Sequence, residues 1–266
     1  MPAETPSAAG RLLLEEDGPA LIVRIANPER ANALDATILD ALASLLHAPP
    51  ASARAVLLGG DGDRHFSAGL DLADAAGEEL AGHLRDGERR LGAAAAAVAE
   101  CPVPVVGVLN GAAFGGALEL AMACDWRIAA AGARMGMPAA RIGVVYSADG
   151  LRRFVAAMGP GCARRLFLTG TPVEADEALG MGLVEQVVEP AGLWAAARAA
   201  AAEVAAGAPF AVAGTRAIVR ALSDGTPPAE VEEVARRWRE RAFASQDVGE
   251  GLRAFRERRP PRFGGR

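Results

Sequence analysis

Runs of apolar and polar residues divide the chain into segments with the spacing of strands and segments with the spacing of helices. Apolar runs at 11–14 and 20–25 flank a Glu-Asp-Gly-Pro sequence, which predicts two strands joined by a turn. After Asp35, a residue type that often caps a helix, leucine and isoleucine recur at helical spacing and predict a helix. The same reasoning predicts further strands at 53–58, 103–109, 126–129 and 183–188, and helices at 78–100, 114–123 and 150–158.

The order of these elements predicts the fold class. A strand, strand, helix order recurs along the chain, which is neither a regular strand–helix alternation nor an all-β pattern. We therefore predict an α/β fold in which ββα units wind into a spiral, with mixed sheets around one core. After Pro190 the pattern is helical throughout, with helices predicted at 194–206, 210–222, 228–244 and 248–258.

These changes in pattern set the expected domain boundaries. Residues 1–10 are expected to be a disordered lead-in, residues 11–205 the ββα core, and residues 206–266 a separate helical region. The chain ends in a basic, proline-rich tail around Phe263, which we expect to be a solvated terminus or, alternatively, a clamp for an anionic ligand.

Composition and charge exclude several classes of function. Of 266 residues, 51% are hydrophobic and 23% charged, which is typical of a globular protein. A net charge of −5 and an aromatic content of 5% argue against nucleic-acid binding, which needs a basic surface or a stacking platform. No apolar segment approaches the roughly 20 residues of a membrane span, and no secretory signal is evident, so a cytoplasmic location is expected. The three histidines and three cysteines form no ligand motif, so no metal site is expected.

The first candidate site lies at residues 108–121, where a predicted buried strand, a glycine-rich turn and a predicted helix follow one another. The first N–H groups of a helix have no intrahelical acceptor, and Gly115 and Gly116 would allow a ligand carbonyl to approach them. Glu119 lies three residues after Gly116 and therefore on nearly the same helical face. A donor for an oxyanion beside a carboxylate base is suited to forming an enolate. Alternatively, the glycines only permit tight packing and Glu119 forms a structural pair.

The second candidate site is the sequence His-Phe-Ser-Ala-Gly-Leu-Asp-Leu at 65–72, which also follows a predicted strand and a turn. Gly69 can adopt a positive φ and direct the Leu70 amide into a cleft, and Asp71 could cap a following helix. The amides of Leu70 and Gly116 could then donate hydrogen bonds to one oxygen.

Three motifs carry a family resemblance. They read Phe-Ser-Ala-Gly-Leu-Asp-Leu, Asn-Gly-x-Ala-Phe-Gly-Gly-Ala-Leu-Glu-Leu-Ala-Met-Ala-Cys-Asp and Phe-Leu-Thr-Gly-x-Pro-Val-x-Ala-x-Glu-Ala-Leu-x-Met-Gly-Leu-Val. Together they resemble the crotonase (enoyl-CoA hydratase/isomerase) superfamily over residues 21–263. The resemblance implies the ββα spiral with a C-terminal helical trimerisation region, and a homotrimer or dimer of trimers. It also implies an acyl-CoA thioester bound by the core, with coenzyme A as part of the substrate and no separate cofactor.

The resemblance also assigns roles to individual residues. The Leu70 and Gly116 amides match the pair that polarises the thioester carbonyl, and Glu119 matches the first of two glutamates found in hydratases. Arginines fit the task of gripping coenzyme A phosphates, which relatives perform with lysines, since this chain contains no lysine. The residues expected to bind substrate or coenzyme A are Arg30, Ala68, Leu70, Asp71, Leu72, Gly115 and Phe263.

The chain departs from the hydratase pattern at the second glutamate, which is Ala139 here. One missing general acid or base typically lowers a rate by roughly 10²–10⁴. Tyr146 lies in a stretch similar to methylmalonyl-CoA decarboxylases, where a phenol could bind a carboxylate or donate a proton, or could simply be packed in place. Asp149 is a second candidate catalytic group, although capping the predicted helix is the role we expect for it.

We therefore expect an enzyme that stabilises a thioester enolate and hydrates a 2-enoyl-CoA, the reaction most frequent in the family. Two other reactions stay open, which are double-bond isomerisation with one glutamate and decarboxylation that uses Tyr146. A catalytically silent acyl-CoA-binding protein is a further alternative, because Ala139 cannot transfer a proton.

Overall fold

The computed structural model of the protein describes residues 10–72 and 80–266. In this part of the chain the strands form two sheets. The larger sheet has the order β1 (Arg11–Asp17), β2 (Ala20–Ala26), β3 (Ala55–Gly60), β5 (Val105–Leu109), β7 (Trp126–Ala130), β10 (Gln186–Val188). The smaller sheet has the order β4 (His65–Ser67), β6 (Ala112–Phe114), β8 (Arg134–Gly136), β9 (Val173–Glu174).

The helices up to α5 lie between strands, and the later ones follow one another after β10. They are α1 (Ala36–His47), α2 (Leu80–Glu100), α3 (Gly116–Ala123), α4 (Ala148–Thr169), α5 (Ala175–Met181), α6 (Leu193–Ala205), α7 (Pro209–Ser223), α8 (Pro228–Phe243) and α9 (Gln246–Glu257). Helix α4 is broken at Gly159, which has a φ of 73° and precedes Pro160. Short 3-10 turns, of which Ala139–Ile142 lies between β8 and α4, complete the connections.

Successive strands alternate between the two sheets, and this alternation produces the spiral. Strands β3, β5 and β7 belong to the larger sheet, whereas β4, β6 and β8, which follow them, belong to the smaller one. Helices α2 and α3 return the chain from β4 to β5 and from β6 to β7, which makes ββα units, and β8 is followed by α4 and then by β9 of the same smaller sheet. Strands β1 and β2 form an antiparallel hairpin, and the other neighbours in the larger sheet are parallel. The predicted α/β spiral of ββα units is confirmed.

Both faces of the larger sheet are covered. Helices α1, α2 and α3 contribute to the main core on one face. On the other face Leu193, Ala197 and Ala201 of α6 join a second apolar cluster with Ile22 and Leu57 of the sheet. Parallel strands buried on both faces are apolar along their whole length, which explains why β3 and β5 show no alternation.

The predicted elements differ from the observed ones mainly at their boundaries. The helix predicted at 114–123 begins at Gly116, because residues 112–114 pair with both neighbours in the smaller sheet. The helix predicted at 78–100 is observed from Leu80, and residues 78 and 79 lie outside the described residues. Residues 1–9 of the predicted lead-in also lie outside them. The boundary predicted between 205 and 206 falls where α6 ends, and the division into domains stays a prediction.

Two expectations from composition concern membrane spans and metal sites in the described part of the chain. Within residues 10–72 and 80–266 no helix combines the length and the apolar composition that crossing a lipid bilayer requires. Over the same ranges no group of three His, Cys, Asp or Glu side chains could hold a metal ion.

The buried Arg127 is paired with Glu185, and its Nε donates to the Leu183 carbonyl.

Asn110 fastens the turn that leads into the smaller sheet. Its buried side chain accepts a hydrogen bond from the Gly60 amide (2.8 Å) and donates to the carbonyls of Gly62 (2.8 Å) and His65 (3.2 Å). Asn32 donates to the same His65 carbonyl (3.0 Å) from the other side. These bonds satisfy backbone groups that would otherwise be buried without partners, and they fix the start of β4.

Asn110→Ala should destabilise the protein strongly. The substitution removes three hydrogen bonds and leaves the Gly60 amide and the Gly62 carbonyl without this side-chain partner, while the His65 carbonyl keeps its bond from Asn32. The cost should be about 2–4 kcal/mol in the free energy of unfolding. We expect Tm to fall by roughly 5–10 °C in a calorimetric or circular-dichroism melt. Asp63→Ala changes an exposed side chain in the same turn and should leave Tm nearly unchanged. Equal melting temperatures for the wild-type and Asn110→Ala proteins would show that the network has no structural importance.

Candidate active site

Two glycine-rich turns lie against each other at the carboxyl ends of neighbouring strands. Strands β4 and β6 are parallel neighbours, and the turns that carry Leu70 and Gly116 follow them directly. Gly69 has a φ of 96°, and a methyl group at its Cα would lie 2.6 Å from the Phe114 carbonyl oxygen and 3.3 Å from the Gly116 nitrogen. Only a residue without a side chain allows this approach, so Gly69 brings the two turns together.

The local hydrogen bonds orient the Leu70 amide. The amide of Leu34 donates to the Gly69 carbonyl (2.8 Å), and the amide of Asp71 donates to the Leu34 carbonyl (3.0 Å). Leu34 and Leu70 thus form an isolated parallel bridge. Its two hydrogen bonds involve the Gly69 carbonyl and the Asp71 amide, not the backbone groups of Leu70 itself. Because neighbouring residues of an extended chain direct their N–H groups to opposite sides, the Leu70 N–H points away from Leu34.

The Gly116 amide is available for a different reason. Gly116 is the first residue of α3, where an N–H group precedes the intrahelical bonding pattern. Gly115, which has a φ of 54°, donates its own amide to the Gly136 carbonyl (3.0 Å) and so fixes the turn to β8. A methyl group at Gly116 would lie 2.8 Å from Cδ2 of Leu91 and 3.4 Å from Cγ of Leu70, so α2 packs closely over this position.

The Glu119 carboxylate lies one turn further along α3 and is buried, with the residue only 3% exposed. The Tyr146 hydroxyl donates a hydrogen bond to Oε2 at 2.6 Å, and Nη1 of Arg153 donates to Oε1 at 3.2 Å. Each carboxylate oxygen therefore has its own donor. The two hydrogen bonds fix the plane of the carboxylate. A group that transfers a proton to a defined position must be held in this way.

Burial raises the pKa of Glu119 above that of an ordinary glutamate, because a charged carboxylate is poorly solvated there. The Tyr146 hydrogen bond and the Arg153 charge oppose this shift, while the charges of Glu88 and Asp149 add to it. The pKa of Tyr146 is also raised, first by burial and then by the adjacent Glu119 charge. The phenol thus keeps its proton and acts as a donor to the carboxylate.

Tyr146 precedes α4 and packs against it. Its ring meets Phe167 edge to face at 5.3 Å between centroids, and Gly150 leaves room for it, since a methyl group there would lie 2.6 Å from the ring. The sequence prediction left Tyr146 either catalytic or packed in place. The structure shows the ring packed against Phe167 and the hydroxyl hydrogen-bonded to Glu119, and a catalytic role for Tyr146 stays a prediction.

Asp149 does not cap α4, which corrects the role expected from the sequence. The cap is Ser147, whose hydroxyl accepts a hydrogen bond from the Gly150 amide at 3.1 Å. The helix therefore begins two residues earlier than predicted, and Asp149 lies in its first turn. The Asp149 side chain is 81% exposed and pairs with Arg152 at 3.2 Å, whereas the Glu119 carboxylate is buried.

The residues expected to bind coenzyme A are divided between two regions. Arg30 and Asp71 form an ion pair (2.8 Å) beside the Leu70 turn. Leu70, Asp71 and Leu72 line a cavity of about 120 Å³ with α2. Ala68 is exposed at the same turn. Phe263 instead packs near Gly251 of α9, within the C-terminal helices.

Sequence reasoning missed Arg153. It lies on α4, in the helix that the pattern predicted, but nothing in its spacing from Glu119 indicates a contact across 34 residues of chain. Arg153 directly precedes Phe154, which is fully buried in the core, but successive residues of a helix point in different directions, so this position alone does not direct the Arg153 side chain inward. No local signal in the sequence marks Arg153.

The chain is similar to known proteins over nearly its whole length. A family model described as enoyl-CoA hydratase/isomerase matches residues 16–266. The Bacillus subtilis protein YngF, which carries the name enoyl-CoA hydratase/isomerase, is 34% identical over 242 residues, covering 90% of this chain and 92% of YngF. Carnitinyl-CoA dehydratase of Salmonella typhi is 34% identical over 266 residues, covering 96% and 98%. The crystal structure of an enoyl-CoA hydratase from Bacillus anthracis superposes with a TM-score of 0.89 at 29% identity, covering 96% and 99%.

Proposed function

Because the chain belongs to the enoyl-CoA hydratase/isomerase family of the crotonase superfamily, we propose that it adds water to the double bond of a 2-enoyl-CoA, with Glu119 transferring the proton. The observation that carries this proposal is the Glu119 carboxylate, buried and held at both oxygens one helical turn beyond Gly116. A carboxylate fixed beside amides that can accept developing negative charge is what enolate chemistry needs.

The proposed reaction uses the two turns and the carboxylate together. The thioester oxygen accepts hydrogen bonds from the Leu70 and Gly116 amides, which stabilise the enolate that forms when water attacks the β-carbon. Glu119 takes a proton from the attacking water and then returns a proton to the α-carbon. One carboxyl group thus performs both transfers, and the sum is one water added across the double bond. The relative from Salmonella typhi is named for a dehydration, the reverse type of reaction.

Double-bond isomerisation is the second candidate, and Ala139 favours it. A hydratase normally divides proton transfer between two carboxyl groups, whereas moving one proton from the γ-carbon to the α-carbon requires only one. Ala139 is buried in the 3-10 turn before α4 and carries no group that could replace the second glutamate. The same Glu119 carboxylate and the same pair of amides serve this reaction.

Decarboxylation with Tyr146 binding a substrate carboxylate is less compatible with the observed contacts. The Tyr146 hydroxyl already donates to Oε2 of Glu119 at 2.6 Å. A substrate carboxylate at that hydroxyl would lie beside a buried carboxylate of the same charge, which is electrostatically costly.

A single set of assays on the purified protein distinguishes these functions. We expect crotonyl-CoA to lose the ultraviolet absorbance of its conjugated double bond as it is hydrated, and methylmalonyl-CoA to release no carbon dioxide. Conversion of a 3-enoyl-CoA to the conjugated isomer without hydration would establish the isomerase instead. Tight binding of acyl-CoA in a calorimeter, with no turnover of any of the three, would identify a silent binding protein and overturn the proposal.

We also propose that the C-terminal helices mediate assembly into trimers. Phe243 at the end of α8 and Val248, Leu252 and Phe255 of α9 are exposed in the single chain. Exposed apolar side chains of this size on neighbouring helices are typical of a surface that another protein covers. Mass photometry should give three or six times 27.2 kDa, and a monomeric mass at micromolar concentration would refute this.

Tyr146→Phe should change the pH dependence of the reaction. The phenol stabilises the charged carboxylate and so lowers the pKa of Glu119, which means that its removal raises that pKa. Hydration needs the ionised carboxylate, so the acidic limb of the kcat/KM profile should move to higher pH, with kcat about tenfold lower at its maximum. An unmoved acidic limb would show that the Tyr146 hydroxyl has no influence on Glu119.

A further inference from the structure

Arg153 makes the one basic contact that the described residues provide to the Glu119 carboxylate. Its Nη1 lies 3.2 Å from Oε1, and the Arg153 side chain is only 18% exposed. The same nitrogen lies 3.4 Å from the carbonyl oxygen of Asp149, one turn earlier in α4. The guanidinium is therefore anchored to its own helix while it contacts α3.

We propose that Arg153 is a positioning residue, which holds the Glu119 carboxylate in its ionised, proton-accepting state and in a fixed orientation. This inference rests on the proposed function, since it assigns Glu119 the proton transfer. Arg153 acts through Glu119, so its contribution should appear in the rate and the protonation of that group and not in substrate affinity.

The surroundings of the carboxylate explain why a positive charge is needed there. Burial disfavours the charged form, and the nearby carboxylates of Glu88 on α2 and Asp149 on α4 disfavour it further. Tyr146, before α4, supplies a hydrogen bond but no charge. Arg153 is the cation that faces Glu119 from α4, and it opposes both the burial and the like charges.

The orientation of the carboxylate depends on the same contact. The Tyr146 hydroxyl contacts only one of the two carboxylate oxygens, Oε2. A carboxylate that is hydrogen-bonded at one oxygen can still rotate about its terminal C–C bond. The Arg153 contact at Oε1 prevents this rotation. In the proposed reaction one carboxyl group first accepts a proton and then returns one. A fixed orientation keeps the group aligned for both transfers, so neither step is slowed by reorientation.

The kinetic test compares Arg153→Gln and Arg153→Lys with the neighbouring Arg152→Gln. Arg152 is half-exposed and pairs with Asp149 and Asp224, so it controls for the loss of one charge from α4. Arg153→Gln should lower kcat about 10–100-fold with little change in KM and move the acidic limb of the profile to higher pH. Arg153→Lys, which retains the charge but not the planar group, should restore the acidic limb and part of kcat. Arg152→Gln should change neither.

A stability measurement tests the same inference without any substrate. The raised pKa of folded Glu119 means that its contribution to stability is fully present below the ordinary pKa of glutamate and is lost as the pH rises through the folded-state pKa. We would measure the free energy of unfolding from pH 4 to pH 9 for the wild-type and Arg153→Gln chains, each with and without Glu119→Gln. The loss that depends on Glu119 should extend to higher pH when Arg153 is absent.

The two arms separate failure of this inference from failure of the proposed function. A wild-type protein that turns over no enoyl-CoA refutes the proposed function, while the stability arm still decides whether Arg153 sets the ionisation of Glu119. An acidic limb and a stability difference that are both unmoved in Arg153→Gln overturn the positioning role. A large rise in KM at constant kcat overturns it as well, because it would place Arg153 on the substrate.

Discussion

Glu119→Gln should lower kcat for hydration of crotonyl-CoA by about 10²–10⁴-fold, the contribution usual for a positioned general acid–base group. The amide has the size of the carboxylate, and its one oxygen can still accept the Tyr146 hydrogen bond. Its NH2 group then faces the Arg153 donor, so that contact is lost while the space at the site stays filled. Affinity for acyl-CoA, measured by calorimetry, should change little, because the proposed binding of the thioester is through the Leu70 and Gly116 amides and not through Glu119. The loss should therefore lie in kcat and not in KM.

Glu88→Gln provides the matched control. Glu88 lies on α2, is exposed, and is near enough for its charge to raise the pKa of Glu119. Its substitution removes the same charge from the neighbourhood of the site without removing the proton-transferring group. We expect kcat within a few-fold of the wild type, with the acidic limb of the pH profile moved to lower pH. Near-wild-type turnover by Glu119→Gln would assign the chemistry to another residue.

Gly69→Ala should also abolish most of the activity while leaving the protein folded. A methyl group at Gly69 cannot be accommodated 2.6 Å from the Phe114 carbonyl, and its φ of 96° is unfavourable for alanine. The two turns must separate, so the Leu70 and Gly116 amides can no longer meet one oxygen. Losing one donor of this kind costs about 10²–10³ in kcat.

Gly132→Ala serves as a control that separates the two effects of Gly69→Ala, which are the collision with Phe114 and the unfavourable φ. Gly132 has a φ of 78°, and a methyl group there would meet no atom within 4 Å. It therefore carries the backbone cost without the collision, and it should lower Tm slightly and leave kcat unchanged. Equal kinetics for Gly69→Ala and the wild type would show that the contact between the two turns is not required for catalysis.

The larger sheet was predictable because its information is local. The hairpin of β1 and β2 follows from two apolar runs around a turn sequence, and α1 begins after Asp35, whose Oδ1 accepts a hydrogen bond from the Ile38 amide at 2.8 Å. The ββα order and more than one sheet were predicted, but the individual strands of the smaller sheet were not. Its strands have two or three residues each, too few for an alternation to be visible, and they are held by pairing with distant strands.

The candidate site was predictable only in part, for a related reason. Gly69, Gly116 and Glu119 lie on turns and a helix start that have local signatures in the sequence. The contacts of Tyr146 and Arg153 with Glu119 depend on how α4 packs against α3, which no spacing encodes. The cap of α4 was assigned wrongly because Ser147 and Asp149 are both good capping residues two positions apart, and it is the Ser147 hydroxyl that accepts the hydrogen bond from the Gly150 amide.

The carboxylate of Glu119, held at both oxygens, has a stereochemical consequence. A group that cannot turn can approach the planar α-carbon of an enolate from one side only. Hydration in deuterium oxide should therefore place the label in a single prochiral position and give a single enantiomer of the 3-hydroxyacyl product.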